Sequence, residues 1–315
     1  MKNLILKREF GIFTLLLVLC IVVALLNPRF LSPLNLRNTG LLIGMFGIFS
    51  IGTGIVIITG GIDLSTGSLM ALMGVQLAIL LVDERWPWPL AILSVLVVSS
   101  LLGWAHGYLV TRVKLQPFIV TLCGLLIYRG AAQFIARDET KGFGNEKGFE
   151  HLQQLATQRT LGVPNPLILL IIIAVIMWVV LHRSVYGRYL FAVGQNEAAA
   201  RYSGINTRAM ITSAYVLSGF FGGISSILFA FYTNSISPSS HAQSYELYGI
   251  AAAVLGGCSL SGGEGSILGI LLGTALLRVL ENLVVLLSIP SSLDFAVMGT
   301  VILLGVTADK LLKKK

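Results

Sequence analysis

The chain carries little charge. Among its 315 residues, only 11% are Asp, Glu, Lys or Arg, whereas 55% are hydrophobic. Soluble globular domains carry roughly 25% charged residues, so this composition excludes an ordinary soluble protein and indicates a membrane protein. Lysine and arginine number 22 against 14 acidic residues. They are confined to the ends and loops, as membrane topology demands, so the basic excess does not indicate nucleic-acid binding.

Cysteine is also scarce, and the sequence signatures of catalysis are missing. Cys20 and Cys123 lie in apolar runs and Cys258 follows a glycine pair, so no two cysteines have metal-ligand or redox spacing. The chain has no Walker A loop, no Gly-x-Ser-x-Gly elbow and no His-Glu-x-x-His. We therefore expect no catalytic residue, no metal and no cofactor on this chain. If ATP and magnesium are involved, we expect them on another subunit.

Long apolar runs are abundant. A helix needs about 20 apolar residues to cross the hydrocarbon core, and about ten segments approach that length. They are residues 10–26, 39–59, 64–82, 89–110, 117–135, 167–181, 209–232, 243–259, 266–287 and 292–309. The segment 243–259 is the weakest, because Glu246, Gly249 and the pair Gly256–Gly257 interrupt it. The sequence thus predicts an all-α polytopic membrane protein, with residues 1–315 as a single transmembrane domain.

The basic residues predict the topology of these spans. If both termini are cytoplasmic, the short outer loops hold only Arg29, Arg37 and Arg85, and the inner loops hold most of the other lysines and arginines. The long loop 136–166 then lies outside and the polar interruption 182–208 lies in the cytoplasm.

Ten spans would divide into five and five, as in the inverted repeats of many transporters. One sequence echo links residues 60–65 with residues 256–261. The predicted spans put both stretches near the same face, which an inverted repeat would not do. The echo therefore does not support the repeat.

The cytoplasmic interruption 182–208 contains a short predicted helix. Asn196 can cap this helix, the alanines 198–200 can propagate it, and Gly204 can end it in the left-handed conformation. An ordinary connector could have the same features, but a connector between adjacent spans could be much shorter. We therefore interpret residues 194–205 as an element that another protein binds.

A polar stretch, TGGIDLSTGS at residues 59–68, interrupts an apolar run. Irregular backbone at membrane depth is tolerated only where protein or water surrounds it. Asp63 is the sole acid between Glu9 and Asp83. Asp63 could cap a helix that begins at Leu64, or the break could line a polar solute path. Ion coupling at Asp63 is less favoured, because no second intramembrane acid lies nearby in the sequence.

Other polar side chains lie within apolar runs. Arg278 and Glu281 share a helix face and can neutralise each other, with a solute contact as the alternative. Arg129 can extend to the membrane interface or lie near the mouth of a pathway. His106 is interpreted as a packing histidine.

In their order along the chain, these stretches resemble the permeases of bacterial ABC importers for ribose, xylose, arabinose and related sugars. The resemblance rests on TGGIDLSTGS (59–68), QPFIVTL (116–122), YRG (128–130), GR (187–188), several residues of 192–205, YEL (245–247), LGG (255–257) and SLSGG (259–263). Gln195, Tyr248 and Cys258 depart from residues frequent in the family. The changes at Tyr248 and Cys258 leave open which solute passes.

The resemblance implies a multi-pass subunit of the bacterial inner membrane that is not itself an enzyme. It implies a cytoplasmic ABC ATPase that grips a coupling helix, a periplasmic sugar-binding protein, and a second permease chain in the same lipid bilayer. The coupling residues would be Gly194, Asn196, Glu197, Ala199, Arg201, Ser203 and Gly204. The candidates for the translocation path are Asp63, Ser65, Tyr128, Arg129, Glu246 and Ser259.

The function implied is the import of a monosaccharide, a pentose such as ribose being the main expectation, by alternating access driven by the separate ATPase. A permease for a sugar-like signal or a nucleoside is the nearest alternative. An autonomous ion-coupled secondary transporter that uses Asp63 is an alternative from a different class. The absence of paired intramembrane carboxylates in the sequence counts against that transporter.

Overall fold

The structure, a computed structural model, describes residues 2–144 and 148–290, together with residues 293, 296, 299, 300 and 303. Across this part of the chain the fold is almost entirely helical. The helices are α1 (Lys2–Leu26), α2 (Pro33–Ile58), α3 (Thr66–Ala78), α4 (Trp88–Tyr108), α5 (Pro117–Ala136), α6 (Glu150–Thr157), α7 (Asn165–Arg183), α8 (Val185–Gln195), α9 (Glu197–Tyr202), α10 (Thr207–Thr233), α11 (Tyr245–Leu255) and α12 (Ile267–Leu286). Single π-helical turns extend α3 through Ile79–Asp83 and α4 through Leu109–Val113.

Eight helices in the described residues are long and apolar enough to cross a membrane. They are α1, α2, α3, α4, α5, α7, α10 and α12. These spans confirm the predicted all-α polytopic architecture. The predicted span 292–309 falls almost wholly outside the described residues. The predicted span 243–259 is replaced by α11, whose 11 residues rise only about 16 Å against a hydrocarbon core of about 30 Å.

Helices α2 and α10 form the centre of the molecule, because most of their residues are buried. Small residues let α10 approach its neighbours closely, as is usual between membrane helices. An added Cβ at Gly219 of α10 would collide with the carbonyl oxygen of Ser99 on α4. The outward sides of α1, α4, α5 and α7 expose leucine, isoleucine and phenylalanine, which suits contact with lipid.

The predicted outer loop 136–166 is folded against the helices. Strand β1 (Lys141–Gly142) pairs with β4 (Ser235–Ile236), and β2 (Arg159–Thr160) forms a hairpin with β3 (Val163–Pro164). The ring of Phe143 stacks on Phe231 of α10 with centroids 4.3 Å apart. This loop therefore covers one end of α10 as an ordered element.

The opposite end of the molecule carries α8 and α9, and we call it the α9 side. The sequence predicted the second of these helices and missed the first. Helix α8 begins after Ser184, whose Oγ accepts a hydrogen bond from the Gly187 backbone N–H at 3.2 Å. Both helices lie between the ends of α7 and α10, within the interruption 182–208.

Two helices begin inside the helical body and not at its surface. Helix α2 ends at Ile58 on the α9 side, and an irregular stretch then leads to Thr66, where α3 begins. Helix α11 begins at Tyr245 after the loop 234–244. The N-terminal turns of α3 and α11 meet, because the Glu246 side chain of α11 lies against Gly67 of α3. The candidate site lies around this meeting point.

Candidate functional site

Asp63 is buried in the break between α2 and α3, with 4% of its surface exposed. Its Oδ1 accepts hydrogen bonds from the Ser65 backbone N–H at 3.0 Å and the Ser65 hydroxyl at 2.7 Å. Its Oδ2 accepts one from the Ser218 hydroxyl at 2.7 Å. Helix α3 begins at Thr66 with Ser65 as its N-cap. The interpretation of Asp63 as the cap of a helix that begins at Leu64 is therefore wrong. Asp63 instead holds the turn that precedes α3.

Side chains of neighbouring helices satisfy the irregular backbone of the break. The carbonyl oxygen of Ile62 accepts a hydrogen bond from the Thr121 hydroxyl of α5 at 3.2 Å and from the Tyr215 hydroxyl of α10 at 3.4 Å. Backbone that leaves the helix at membrane depth needs such partners, because lipid supplies none. The break is therefore a built feature that α5 and α10 support.

The break lies about halfway through the helical body. From Pro117 to Tyr128 helix α5 rises about 16 Å, and from Thr207 to Ser218 helix α10 rises by the same amount. Half of a hydrocarbon core of roughly 30 Å is a similar distance. The hydroxyl of Tyr128 bonds His106 Nε2 at 2.8 Å, and both rings lie near the Asp63 carboxylate. His106 is thus a buried, hydrogen-bonded packing residue, as predicted.

Glu246 brings a second carboxylate to the same level. It is 7% exposed, and its carboxylate lies against Gly67 in the first turn of α3. It is close enough to Asp63 and Arg129 for electrostatic interaction with both. No second intramembrane acid lies near Asp63 in the sequence, but the fold brings Glu246 to the start of α3, close to Asp63. The positive end of the α3 dipole offsets part of the repulsion between these two acids.

Arg129 lies inside the protein, where it holds the loop 234–244. Its Nη1 donates to the carbonyl oxygens of Pro238 at 3.1 Å and His241 at 2.8 Å. The half-buried guanidinium is therefore used internally, and extension to the membrane interface does not describe it. His241 is itself buried, and its Nε2 has no hydrogen-bond partner among the described residues.

Arg278 and Glu281 form the ion pair that the sequence predicted. Arg278 is 5% exposed, and its guanidinium lies 3.6 Å from the ring centroid of Phe46 and 4.9 Å from that of Tyr248. Cation–π contacts of this kind stabilise a desolvated guanidinium. The pair therefore ties α12 to α2 and α11, which favours the structural interpretation over a solute contact.

Ser259 lies apart from this cluster, in the glycine-rich turn between α11 and α12. Its backbone N–H donates to the Glu264 carbonyl oxygen at 3.1 Å, and its hydroxyl accepts from the Ser261 N–H at 3.3 Å. The same turn contacts Gly194 at the end of α8, so it belongs to the α9 side. The structure brings Asp63, Ser65, Tyr128, Arg129 and Glu246 together and leaves Ser259 out.

Helix α9 is closed at both ends by its own residues. Asn196 Oδ1 accepts from the Ala199 N–H at 2.9 Å, as predicted for the N-cap. Gly204 has a φ of +83°, and the N–H groups of Gly204 and Ile205 return to the carbonyls of Arg201 and Ala200 at 3.0 and 3.1 Å. This double closure is a Schellman motif. The short helix is therefore rigid without further packing.

The side chains of α9 are arranged for contact outside the chain. Glu197 pairs with Arg201 one turn later and accepts a hydrogen bond from the Thr207 hydroxyl at 3.1 Å, which fixes α9 to α10. Only Ala200 is buried. Tyr202 is 93% exposed, and buried aromatic anchors are enriched at the centres of protein interfaces.

Helix α8 connects α9 to the membrane helices. The Tyr186 hydroxyl bonds the Ser213 hydroxyl of α10 at 2.7 Å. Burial raises the pKa of the Tyr186 phenol, so the hydroxyl remains protonated and keeps this hydrogen bond. At its other end, Gly194 lies against Ile58 and Gly263.

Sequence reasoning missed several residues of this arrangement. Thr121 and Gly67 lie in stretches already singled out, so their motifs offered a signal. Tyr215 and Ser218 lie in the apolar run of α10, where no local pattern marks them. Tyr202 adjoins the predicted coupling residues, and its aromatic side chain on a polar loop was an available sign.

Comparison with known proteins decides the family. The profile described as "Branched-chain amino acid transport system / permease component" matches residues 35–306. The chain belongs to this permease family. It is thus a transport subunit of the ATP-binding cassette class, multi-pass in the inner membrane, and not an enzyme.

Relatives of this permease carry the names of sugar transporters. The ribose import permease protein RbsC of Bacillus subtilis (strain 168) is 37% identical over 304 residues, which cover 96% of this chain and 93% of the relative. The L-arabinose transport system permease protein AraH of Escherichia coli (strain K12) is 31% identical over 308 residues, or 97% and 92% of the two chains. The D-allose permease protein AlsC of the same strain is 29% identical over 307 residues, or 97% and 93%. No solved structure matches the chain.

Proposed function

We propose that this permease imports a monosaccharide, with ribose as the first candidate, by alternating access driven by a separate ATPase. The observation that carries this proposal is the 37% identity with a ribose import permease over 96% of the chain. The family description names branched-chain amino acids, whereas the three relatives above are named for sugars. The sugar assignment follows the individual relatives.

The five residues that the structure brings together about halfway through the helical body, which we call the mid-height cluster, are the proposed part of the translocation path. Carboxylates, hydroxyls and a guanidinium offer donors and acceptors suited to sugar hydroxyls, and Asp63, Ser65, Tyr128, Arg129 and Glu246 supply them. These groups lie where two helices begin inside the body, which is where many transporters bind solutes. Ser259 would lie on the same path nearer its α9-side exit.

The partners follow from the exposed elements at the two ends. The ATPase, which binds ATP and magnesium in place of this chain, would grip residues 194–205 of the cytoplasmic interruption 182–208. A periplasmic sugar-binding protein would dock at the other end, beside the loop 136–166. A second permease chain, either an identical copy or a sister subunit, would complete the pathway within the bilayer.

One observation favours a second candidate function. Asp63 holds the turn before α3, and the Glu246 carboxylate lies against Gly67 in the first turn of that helix. Buried carboxylates at membrane depth are found in proton-coupled transporters. An autonomous ion-coupled transporter is therefore the alternative. Uptake by the permease alone in lipid vesicles would support it.

The solute is tested by competition for uptake. Cells that lack their own ribose permease would express this chain with its ATPase and binding protein, and take up radiolabelled ribose. Unlabelled ribose should compete most strongly, allose and arabinose less, and leucine should leave uptake unchanged. A culture without the permease gives the background. Competition by leucine or by a nucleoside in preference to ribose would contradict the proposed cargo.

A further inference from the structure

Three segments of the backbone meet on the α9 side of the mid-height cluster. They are the end of α2 with its turn (Ile58 and Gly60), the end of α8 (Gly194 and Gln195), and the turn after α11 (Gly262 and Gly263). The Gly263 N–H donates to the Ile58 carbonyl oxygen at 2.9 Å. This contact joins two segments that are far apart in sequence, and we call the meeting point the glycine junction.

The glycine junction leaves no room for a side chain at Gly194 or Gly262. A Cβ added at Gly262 would lie 2.6 Å from the Gly194 carbonyl oxygen and 2.9 Å from the Gly60 nitrogen. A Cβ added at Gly194 would lie 2.6 Å from the Gly263 nitrogen and would collide with the Ile58 carbonyl oxygen. Real Cβ atoms do not approach backbone this closely, so main-chain atoms of the three segments are in direct contact at these glycines.

Each segment of the junction continues into a different functional part. From Gly194 the chain passes through Gln195 directly into α9. From Ile58 it passes through four residues to Asp63, whose carboxylate is fixed to Ser218 at 2.7 Å. From Gly263 it passes to Ser266, which begins α12 and donates a hydrogen bond to Glu9 of α1. Main-chain contacts thus connect the end of α8, which leads into α9, to the turn that leads to Asp63.

We infer that the glycine junction transmits the motion of α9 to the break that holds Asp63, and that Gly194 and Gly262 are positioning residues for transport. This inference rests on the proposed docking of the ATPase on α9. Direct backbone contact suits the role, because main-chain atoms cannot change rotamer and absorb the displacement, as flexible side chains would.

The first test uses the unmodified permease in complex with its ATPase. Amide hydrogen exchange would be measured with and without a non-hydrolysable ATP analogue. Exchange in residues 194–202 should change, and exchange in residues 59–65 and 259–265 should change with it, by about fivefold or more if the coupling has its usual strength. A response in 194–202 with none in the other two segments would overturn the inference while leaving ATPase docking intact. No response in 194–202 would contradict the docking itself, and the inference with it.

The second test uses substitutions. Gly262→Ala lies outside residues 194–205, so this variant should still co-purify with the ATPase, and the ATPase should keep its basal hydrolysis. The sugar moved per ATP should nevertheless fall on the order of tenfold. Gly11→Ala in α1 is the control, because nothing lies within 4 Å of the added methyl. Normal stoichiometry in Gly262→Ala would refute the inference. If a variant fails to fold, the exchange measurement on the unmodified protein still decides.

Discussion

Asp63 stays in the middle of a membrane protein because donors surround its carboxylate. Two of them come from Ser65 in the same turn and one from Ser218 on α10. A buried carboxylate without such partners would cost several kcal/mol. The residue therefore has a structural task at the site where a solute role is also proposed, and the two roles make different predictions.

Replacing Asp63 with Asn tests the balance between these roles. Asn keeps the size and one acceptor oxygen but loses the charge, so charge-assisted hydrogen bonds worth about 1.5–3 kcal/mol are weakened. Folded yield and the thermal midpoint in detergent should therefore fall, and competition among solutes should stay as it was. Ser218→Ala removes one of these charge-assisted bonds and should also lower stability, by about 1.5–3 kcal/mol. Unchanged stability of Asp63→Asn with a new solute preference would show that solute contact dominates.

Which residues meet could be predicted only where the contact is local. Asn196 and Gly204 cap α9 through residues a few positions away, and the sequence pattern identified both. Asp63 with Ser218 and Gly67 with Glu246 join helices distant in sequence, and no periodicity encodes such a pairing. For the same reason the sequence suggested that Asp63 stood alone, whereas folding places Glu246 near it.

At the scale of elements, the two helices that begin inside the body explain both a success and a failure of the sequence. The polar break at 59–68 predicted an interruption, and it is present between α2 and α3. The length of α11 was overestimated because the apolar run 243–259 includes glycines that form a turn beyond Leu255. The echoing segments 60–65 and 256–261 do lie on the same side, in contact through the glycine junction. The inverted five-plus-five repeat stays a prediction.

Helix α9 is the element whose role is simplest to test by substitution. Tyr202→Ala removes an aromatic side chain that is 93% exposed and contributes nothing to packing within the chain. Insertion and folding should be normal, while ATPase co-purification and sugar uptake should fall several-fold, since interface aromatics are often worth 2 kcal/mol or more. Glu197→Gln and Arg201→Gln should uncouple transport in the same way.

A matched aromatic controls for the loss of a tyrosine as such. Tyr232 is also exposed but lies at the far end of α10, so Tyr232→Ala should leave ATPase binding intact. Normal uptake in the Tyr202, Glu197 and Arg201 variants together would argue against docking at α9.

At the scale of the whole molecule, the permease is a helical body with the mid-height cluster inside it and the short helix α9 at one end. Helix α9 is linked to the break that holds Asp63 through the main-chain contacts of Gly194 and Gln195, which precede it. The chain has no Walker A motif, so we expect any ATP to be bound by another subunit. Most of the spans, helix α9 and the family could be predicted from the sequence, because apolar runs, caps and motifs are local. The connection between α9 and the mid-height cluster could be identified only from the tertiary structure.

We propose that a separate ATPase drives this chain to move a sugar. This proposal is tested most directly by reconstituting the purified permease in lipid vesicles and measuring uptake of radiolabelled ribose. We predict uptake only when the ATPase, ATP and the sugar-binding protein are all present, and none when any one is omitted. Uptake by the permease alone, driven by a proton or sodium gradient, would contradict the account and favour ion coupling at Asp63 and Glu246.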